Sequence, residues 1–294
     1  MHLLRGLRHP ALPALALALL TASPALAQPP EAELSDTVRR IEQQLDAKIG
    51  LVIRDSGSDW RWHHRAEDRV LLNSTFKVLL CAKVLKDVDD GMMGLEDTLT
   101  VTEQDLLSYA PVTQARVGQE MSLAELCQAT LDMSDNTAAN LLLDRIGGPA
   151  ALTRFLRDSG DTVGRLDRRE PELNTPAKDG MQDTSTPAAM AATLQALITG
   201  DVLSGASQAQ LQTWMSDGGV TGALLRSYVP GTWQVADKSG SGDTTRNLIA
   251  MVTPAADDPY FIAIYLADAQ APFETRNAAM IDLSKAVATL LQSR

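Results

Sequence analysis

Strand patterns lie at the two ends of this chain with a helical block between them, and this order constrains the fold more than any other feature. Alternating apolar residues predict strands at residues 48–55, 59–65, 232–238, 247–252 and 260–266. Amphipathic helices are predicted near both termini, over residues 31–47 and 277–292. We therefore expect an α+β fold, in which both ends of the chain form one antiparallel sheet of about five strands flanked by the terminal helices.

The middle of the chain is dominated by helical patterns, which are clearest over residues 123–131, 136–146 and 149–158. Residues 165–184 have no helical period and contain Pro171, Pro176 and Gly180, so we expect a long ordered loop there. The predicted organisation is an α/β lobe of residues 28–68 and 217–294 and an all-helical lobe of residues 69–216. A cleft between two such lobes is a natural ligand site.

The first 27 residues have the features of an export signal. Arg5 and Arg8 supply a basic region, residues 11–20 are apolar, and Ala25-Leu26-Ala27 fits the cleavage rule. A membrane anchor is the alternative, but the apolar run is shorter than the ~20 residues that a membrane-spanning helix needs. We therefore expect residues 1–27 to be removed and the mature protein to be periplasmic, without stable membrane association.

Charge and residue usage disfavour several kinds of function. A formal net charge of −11 disfavours binding to nucleic acid, although an anionic small molecule needs only local cations. Of the four histidines, two lie in the predicted signal and the others, His63 and His64, are adjacent. We therefore expect neither a catalytic zinc site nor a Ser-His-Asp triad, so a serine nucleophile would need a lysine or a glutamate as its base. The two cysteines, Cys81 and Cys127, can pair in an oxidising compartment.

Ser74-Thr75-Phe76-Lys77 begins an apolar helical segment. The spacing of three puts Ser74 and Lys77 on one helix face, and the free N–H groups and positive dipole end of a helix start favour an oxyanion. A buried lysine with a lowered pKa can take the proton of a serine hydroxyl. The alternative is an ordinary N-cap serine with a solvated lysine, but the apolar neighbours of Lys77 favour burial of its side chain.

Ser134-Asp135-Asn136 lies between two helical patterns. These residue types are common helix caps, so the motif can serve simply to cap the following helix. In the functional interpretation, Ser134 carries a proton to a leaving nitrogen and Asn136 binds a substrate amide.

Lys238-Ser239-Gly240 closes a predicted strand, and residues 241–243 follow as a turn. One interpretation is a plain edge strand with an exposed lysine. In the other, Lys238 and the Ser239 hydroxyl bind a carboxylate, while Gly240 lets the ligand approach the backbone.

Glu170 and Asn174 are four residues apart in the predicted loop of residues 165–184. A carboxylate and an amide can hold one water molecule between them, which the carboxylate activates. The alternative is a surface loop that carries two glutamates.

In this order the four motifs resemble the class A β-lactamases, and within them the broad-spectrum penicillinase branch, over nearly the whole mature chain. The resemblance implies hydrolysis of penicillins and early cephalosporins by a monomer that needs no metal or organic cofactor. Ser74 would attack the β-lactam carbonyl, and either Lys77 or Glu170 through a water would take its proton. Ser134 would protonate the leaving nitrogen, and Glu170 with Asn174 would activate the water that hydrolyses the acyl-enzyme.

The resemblance also implies roles for residues around this catalytic set. The backbone N–H groups of Ser74 and Ser241 would form the oxyanion hole. The substrate carboxylate would be held by Lys238, Ser239 and Arg246, the last of which matches after a one-residue gap. Further implied features are an aromatic cleft mouth at Tyr109, substrate contacts from Asn136 and Asn174, a Cys81–Cys127 disulfide, an Arg168–Asp183 ion pair that braces the loop, and a cis Glu170–Pro171 peptide bond.

The chain departs from this branch in three places. Asn73 precedes the nucleophile, the turn of residues 243–245 is short, and Gly218-Gly219 replaces more polar residues. No cysteine stands at position 73 or 242, so the extra disulfide of a known carbapenemase group is absent.

Two other functions remain as alternatives. A D,D-peptidase or slow-turnover penicillin-binding protein would lack an equivalent of Glu170, and a β-lactam sensor would stay acylated and usually keep a membrane tether.

Overall fold

The computed structural model describes His2 and residues 28–294, so the export signal predicted for residues 1–27 lies, apart from His2, outside the described residues. The helices are α1 (Pro30–Leu45), α2 (Phe76–Asp89), α3 (Leu123–Asp132), α4 (Asn136–Arg145), α5 (Pro149–Asp158), α6 (Pro187–Thr199), α7 (Gly205–Ser216) and α8 (Phe273–Gln292). The strands are β1 (Lys48–Asp55), β2 (Arg61–His64), β3 (Val70–Leu71), β4 (Thr98–Thr100), β5 (Glu120–Ser122), β6 (Thr184–Ser185), β7 (Gln234–Ser241), β8 (Arg246–Thr253) and β9 (Tyr260–Ala267). Within these residues, no helix combines the length and the apolar character needed to cross a membrane.

Five of the strands form one antiparallel sheet in the order β2-β1-β9-β8-β7. The register pairs Lys48 of β1 with Ala267 of β9, and Ser241 of β7 with Arg246 of β8. β1 and β2 come from the start of the chain and β7, β8 and β9 from its end, so the sheet joins the two ends as predicted. The α+β class and the five-stranded antiparallel sheet are confirmed.

Both faces of the sheet are buried, because its inner strands carry apolar residues at consecutive positions. In β8, Leu248, Ala250 and Val252 pack in one cluster with α1 and α8, whereas Ile249 and Met251 pack in another with helices from the middle of the chain. Alternate side chains of a strand point to opposite faces, so each face receives one of these sets. Burial of one large aliphatic side chain contributes about 1.5–3 kcal/mol to the free energy of folding. The many buried side chains therefore stabilise the sheet and fix the position of the residues on β7.

Two elements near the end of the chain differ at one end by three or four residues from the predicted bounds. β7 continues through Ser241, because residues 239–241 stay paired with β8, and the turn predicted at residues 241–243 covers residues 242–245 instead. α8 begins at Phe273, before the predicted start at residue 277. The Phe273 ring lies against the guanidinium of Arg246 on β8, and periodicity along the chain does not contain such a tertiary contact.

α2 is buried on almost every side, as its apolar sequence indicates. A disulfide between Cys81 and Cys127 joins it to α3, which confirms the pairing that the family resemblance implies. The two Cα atoms lie 5.7 Å apart, and the bridge spans a sequence separation of 46 residues. A closed loop of this length removes unfolded-state entropy worth roughly 4 kcal/mol, so the bridge stabilises the helix that follows the Ser74 turn.

Two short strand pairs in the middle of the chain were not predicted, namely β4 with β5 and β3 with β6. The second pair positions the site, because β3 directly precedes the turn that contains Ser74, and β6 closes the loop of residues 165–184. Leu72 N also donates to Asp183 O at 2.9 Å. The long loop is therefore anchored beside the segment that enters α2.

Candidate active site

Ser74 lies in the 3₁₀ turn Asn73–Thr75, which leads directly into α2. The turn is tied to the sheet, since Thr75 Oγ1 lies 3.1 Å from the Tyr265 hydroxyl on β9. β7 passes close beside it, because a Cβ added to Gly240 would lie only 3.1 Å from Ser74 N. The glycine thus allows the backbone of β7 to approach the backbone of Ser74 closely.

Lys77 is fully buried near the start of α2. Its Nζ atom donates to Ser134 O at 2.8 Å and to Asn136 Oδ1 at 2.6 Å, and it lies 3.2 Å from Glu170 Oε1. Burial lowers the pKa of Lys77 from its ordinary value, although the Glu170 carboxylate opposes the shift. The ammonium is therefore held by two different segments and loses its proton more easily than a lysine in water.

The Ser134-Asp135-Asn136 motif connects α3 to α4 and does cap the second helix. The Asp135 carboxylate accepts the Ala138 N–H at 2.9 Å and also binds the backbone N–H groups of residues 112 and 113. Ser134 has a φ of +59°, a left-handed conformation that few non-glycine residues adopt. The same turn directs Ser134 and Asn136 towards Lys77, so the cap and the side-chain contacts arise together.

Lys238 is fully buried on β7 and is not an exposed edge lysine. Its Nζ atom donates to Ser134 Oγ at 3.0 Å and to Ser239 O at 2.9 Å. Burial is the main cause that holds the pKa of Lys238 well below its ordinary value, and the positive charges of Lys77 and Arg246 add to it. The Ser134 hydroxyl therefore lies between two buried amines, 3.3 Å from Lys77 Nζ and 3.0 Å from Lys238 Nζ.

Glu170 is buried, and its peptide bond to Pro171 is cis, as the resemblance implies. Asn140 of α4 holds its backbone on both sides, donating to Glu170 O at 2.8 Å and accepting from Glu170 N at 3.1 Å. Asn174 Nδ2 donates to Glu170 Oε2 at 2.7 Å. The other oxygen, Oε1, faces Lys77 at 3.2 Å and has no well-aligned hydrogen bond among the described residues, so it can accept a further donor such as water.

Arg168 and Asp183 join the two ends of the loop of residues 165–184. Arg168 Nε donates to Asp183 Oδ2 at 2.5 Å, and Asp183 Oδ1 accepts the backbone N–H groups of residues 167 and 168 at 2.8 Å each. Asp183 is fully buried, so these bonds satisfy a charge that has no contact with water. The ion pair implied by the resemblance is present and limits the movement of the segment that carries Glu170.

The four motifs surround a cavity of about 340 Å³. Its wall is formed by Ser74, Tyr109, Ser134, Asn136, Asn174, Val220, Ser239, Gly240, Ser241, Arg246 and Phe273. Lys77, Lys238 and Glu170 do not line it but lie directly behind Ser134 and Asn136. The cavity therefore presents hydroxyl and amide groups and the Arg246 guanidinium to a ligand, while Lys77, Lys238 and Glu170 stay buried behind its wall.

Arg246 begins β8 and is almost completely buried beside the cavity. Its guanidinium donates to Asn277 Oδ1 at 3.0 Å and to Gly240 O at 3.2 Å, and its central carbon lies 5.3 Å from the centre of the Phe273 ring. Burial, with a smaller effect of Arg276, lowers the pKa of Arg246 to about 10, so the group stays charged at neutral pH. Arg246 therefore lies in the cleft, although its sequence match to the family requires a one-residue gap.

Several residues of the site were not predicted from the sequence. Phe273 and Val220 line the cavity, while Asn140 and Asn277 hold Glu170 and Arg246. No local motif marks these residues, because each acts through contacts between distant segments. Asn73 was noted only as a departure from the family, yet its fully buried side chain reaches the loop that carries Glu170.

The described part of the chain contains no cluster of three or more histidine, cysteine, aspartate or glutamate side chains that could hold a metal ion. His63 and His64 lie on β2, at the edge of the sheet opposite to β7. The residues around the cavity therefore include lysine, glutamate and arginine side chains and no histidine.

Comparisons with known proteins agree over most of the chain. The Beta-lactamase enzyme family matches residues 33–291. A β-lactamase of Rhodobacter capsulatus is 48% identical over 278 residues, which cover 95% of this chain and 95% of that protein. Beta-lactamase PSE-4 of Pseudomonas aeruginosa is 40% identical over 256 residues, which cover 87% of this chain and 89% of that protein.

Solved structures show the same similarity in three dimensions. The crystal structure of a β-lactamase from Xanthomonas campestris pv. campestris has a TM-score of 0.86 at 43% identity and covers 90% of this chain and 99% of its own. A class A β-lactamase described as the last common ancestor of Gram-negative bacteria has a TM-score of 0.84 at 44% identity, covering 88% of this chain and 99% of its own. Sequence and structural similarity therefore extend together over nearly all of the described residues.

Proposed function

We propose a serine acyl-enzyme mechanism for this chain, which belongs to the class A β-lactamase family and hydrolyses β-lactams. The observation that carries the proposal is the position of Ser134, whose hydroxyl lies 3.3 Å from Lys77 Nζ and 3.0 Å from Lys238 Nζ. Lys77 Nζ in turn lies 3.2 Å from Glu170 Oε1. One set of contacts thus joins the proton carriers needed to form and hydrolyse an acyl-enzyme on Ser74.

In acylation, Ser74 Oγ attacks the carbonyl carbon of the lactam, and the ring C–N bond breaks. The serine proton passes to Lys77, or to Glu170 through a water, and the geometry is compatible with either base. Ser134 donates its own proton to the ring nitrogen and recovers one from Lys77. The backbone N–H groups of Ser74 and Ser241 stabilise the negative charge on the carbonyl oxygen, a proposal supported by the close passage of β7 beside the Ser74 turn.

In deacylation, a water gives a proton to Glu170 and its oxygen attacks the ester carbonyl. The Ser74–carbonyl bond then breaks, and the serine oxygen recovers a proton. Two features of Glu170 support this role. Asn174 occupies one carboxylate oxygen at 2.7 Å, while the other, Oε1, keeps accepting capacity towards the site. Burial of the carboxylate also strengthens its interaction with a single bound water.

The proposed substrate contacts use the wall of the cavity and Lys238, which lies buried behind it. Lys238, Ser239 and Arg246 would bind the carboxylate next to the opened ring. Asn136 and Asn174 would bind the side-chain amide of the substrate, with Tyr109 at the mouth. The chain carries a net charge of −11, but the charged Arg246 and the neighbouring lysines provide the local cations that an anionic substrate needs.

Replacement of Arg246 by alanine should weaken turnover of substrates that carry the ring carboxylate. Loss of one hydrogen bond between charged groups costs roughly 1.5–3 kcal/mol, so kcat/KM for penicillins should fall about tenfold to a hundredfold. Arg246→Lys keeps a positive charge on the same segment and should lose less than Arg246→Ala. Parent-like penicillin kinetics in Arg246→Ala would show that another group binds the carboxylate.

The mature protein is proposed to be a periplasmic monomer, on the basis of the export signal predicted for residues 1–27. We also propose its division into an α/β lobe of residues 28–68 and 217–294 and a helical lobe of residues 69–216. Two separate hydrophobic clusters, one on each face of the sheet, support this division.

The proposed substrate range is penicillins and early cephalosporins, since Gly242 leaves the cleft edge without a disulfide.

Nitrocefin hydrolysis distinguishes this proposal from a slow-turnover penicillin-binding protein or a β-lactam sensor. We expect linear steady-state hydrolysis over many turnovers per protein molecule, because Glu170 is placed to activate the deacylating water. A single burst that matches the protein concentration and then stops would instead identify a protein that stays acylated.

With the same preparation, ampicillin should be hydrolysed much faster than a carbapenem, and comparable rates would contradict the proposed substrate range.

A further inference from the structure

Asn73, the residue before the nucleophile, is the centre of a buried amide network that the mechanism above does not use. Its φ is +45°, a left-handed conformation that asparagine tolerates better than most residues, and its side chain is fully buried. Its Oδ1 accepts from Thr245 Oγ1 at 2.7 Å and from Asn247 Nδ2 at 2.9 Å. Its Nδ2 donates to Asn174 Oδ1 at 2.9 Å, so one side chain links the start of β8 to the loop that carries Glu170.

The orientation of the Asn73 amide follows from its partners. Asn247 Nδ2 donates to Leu71 O at 2.9 Å, and a backbone carbonyl can only accept, so this end of Asn247 is the donor. The same nitrogen lies 2.9 Å from the Asn73 amide, which must therefore present its oxygen there. Asn73 consequently presents its nitrogen to Asn174.

The orientation of Asn174 follows in the same way. Because Asn73 Nδ2 is a donor, Asn174 must turn its oxygen towards Asn73 and its nitrogen towards Glu170, where it donates to Oε2 at 2.7 Å. A reversed Asn174 amide would bring its oxygen against the carboxylate oxygen and would repel it. Three amides thus form a chain of hydrogen bonds from a backbone carbonyl of β3 to the carboxylate of Glu170. Asn73 favours the same orientation of Asn174 as the Pro171 carbonyl, which accepts from Asn174 Nδ2 at 3.2 Å.

We propose that Asn73 is a positioning residue for deacylation, which holds the Asn174 amide with its nitrogen towards Glu170. The inference rests on the proposed roles of Glu170 and Asn174. In this chain Asn73 favours the hydrogen bond from Asn174 to Glu170 Oε2. The other oxygen, Oε1, lies 3.2 Å from Lys77 Nζ and has no hydrogen bond among the described residues, so it can accept one from water. Acylation does not depend on this orientation when Lys77 serves as the base, so the two steps respond differently to a change at position 73.

The test is Asn73→Asp, which keeps the left-handed backbone and an acceptor for Asn247 but removes the donor to Asn174. In either orientation the Asn174 oxygen then faces a carboxylate, so we expect its contact with Glu170 to weaken. The kcat for a penicillin should fall about tenfold to a hundredfold, as for loss of one hydrogen bond to a charged group. KM should fall in parallel, so that kcat/KM stays near the parent value. Intact-protein mass spectrometry after quenching should show an acyl adduct on Ser74 during turnover.

Thr245→Val is the matched control, because it removes the other donor to Asn73 Oδ1 while Asn247 still sets the amide orientation. We expect parent-like kinetics from this variant. Asn73→Gly removes the side chain without adding a charge and should lower kcat in the same direction but by a smaller factor. This variant therefore distinguishes the effect of losing the donor from the effect of the charge that Asn73→Asp adds. It also tests the inference if Asn73→Asp does not fold.

Three results would overturn the inference. They are a parent kcat in the folded Asn73 variants, a fall in kcat/KM without an accumulated adduct, and a loss in Thr245→Val as large as that in Asn73→Asp. The second result would indicate a purely structural role. If Glu170→Ala traps an adduct and the Asn73 variants do not, this inference alone fails. If Glu170→Ala also turns over freely, the proposed mechanism fails with it.

Discussion

Glu170→Ala should leave the protein acylated on Ser74 after a pulse of penicillin, with an adduct that persists once free penicillin is removed. Acylation can still use Lys77 as its base, whereas deacylation loses the carboxylate proposed to activate water. A general base contributes roughly 10²–10⁴-fold to such a step, so steady-state turnover should fall by a factor in this range. Intact-protein mass spectrometry would show the mass of the variant increased by that of one penicillin molecule.

Two variants serve as controls for this result. Ser74→Ala should form no adduct, since it lacks the attacking oxygen. Glu172→Ala removes an exposed carboxylate from the 3₁₀ turn Glu172–Asn174 of the same loop and should behave like the parent protein. Near-parent turnover in Glu170→Ala would show that another base serves deacylation. An adduct that also persists in Glu172→Ala would point to a general disturbance of the loop.

Elements with strong signals at their own ends were predicted from the sequence with the greatest accuracy. α5 spans Pro149–Asp158 with both predicted ends, because a glycine pair precedes it and a proline occupies its first position. β1 spans Lys48–Asp55 as predicted, since charged residues bound its apolar run. The burial of Lys77 was expected for the same kind of local reason, namely the apolar residues around it.

Features that depend on a partner segment were not predicted. The continuation of β7 through Ser241 is set by its pairing with Arg246, and the early start of α8 accompanies the contact of Phe273 with the same arginine. Asn140 and Asn73 act on the loop of residues 165–184 through hydrogen bonds that span 30 and 101 positions of the chain. Sequence patterns over short windows contain no information about such pairs.

The arrangement of charge explains how an acidic protein can hold an anionic substrate. Lys77, Lys238 and Arg246 lie close to one another around the cavity, and Glu170 is the carboxylate in contact with Lys77. The two other cations are the second cause, after burial, of the lowered pKa of Lys238. A substrate carboxylate placed beside Lys238 would offset this repulsion, so binding of an anion and retention of the Lys238 proton favour each other.

Ser134→Gly should block the reaction before the acyl-enzyme forms, in contrast to Glu170→Ala. The Ser134 hydroxyl lies between the amines of Lys77 and Lys238, and the proposed mechanism gives it no substitute as proton donor to the ring nitrogen. Positioned proton transfer contributes typically 10²–10⁴-fold, so kcat/KM for penicillins should fall by about that factor. The same penicillin pulse should leave the protein largely unmodified, because the ring C–N bond breaks too slowly.

The backbone at position 134 decides which variant isolates the hydroxyl. Ser134 has a φ of +59°, which glycine adopts without strain, so Ser134→Gly changes the side chain and keeps the turn that positions Asn136. Ser134→Ala adds backbone strain to the same loss and should be less stable to heat than Ser134→Gly, yet equally slow to acylate. Both variants remove a shared acceptor from two buried amines, so a lower melting temperature than that of the parent is expected for each. Rapid acylation of a folded Ser134→Gly protein would show that a water or Lys238 itself delivers the proton.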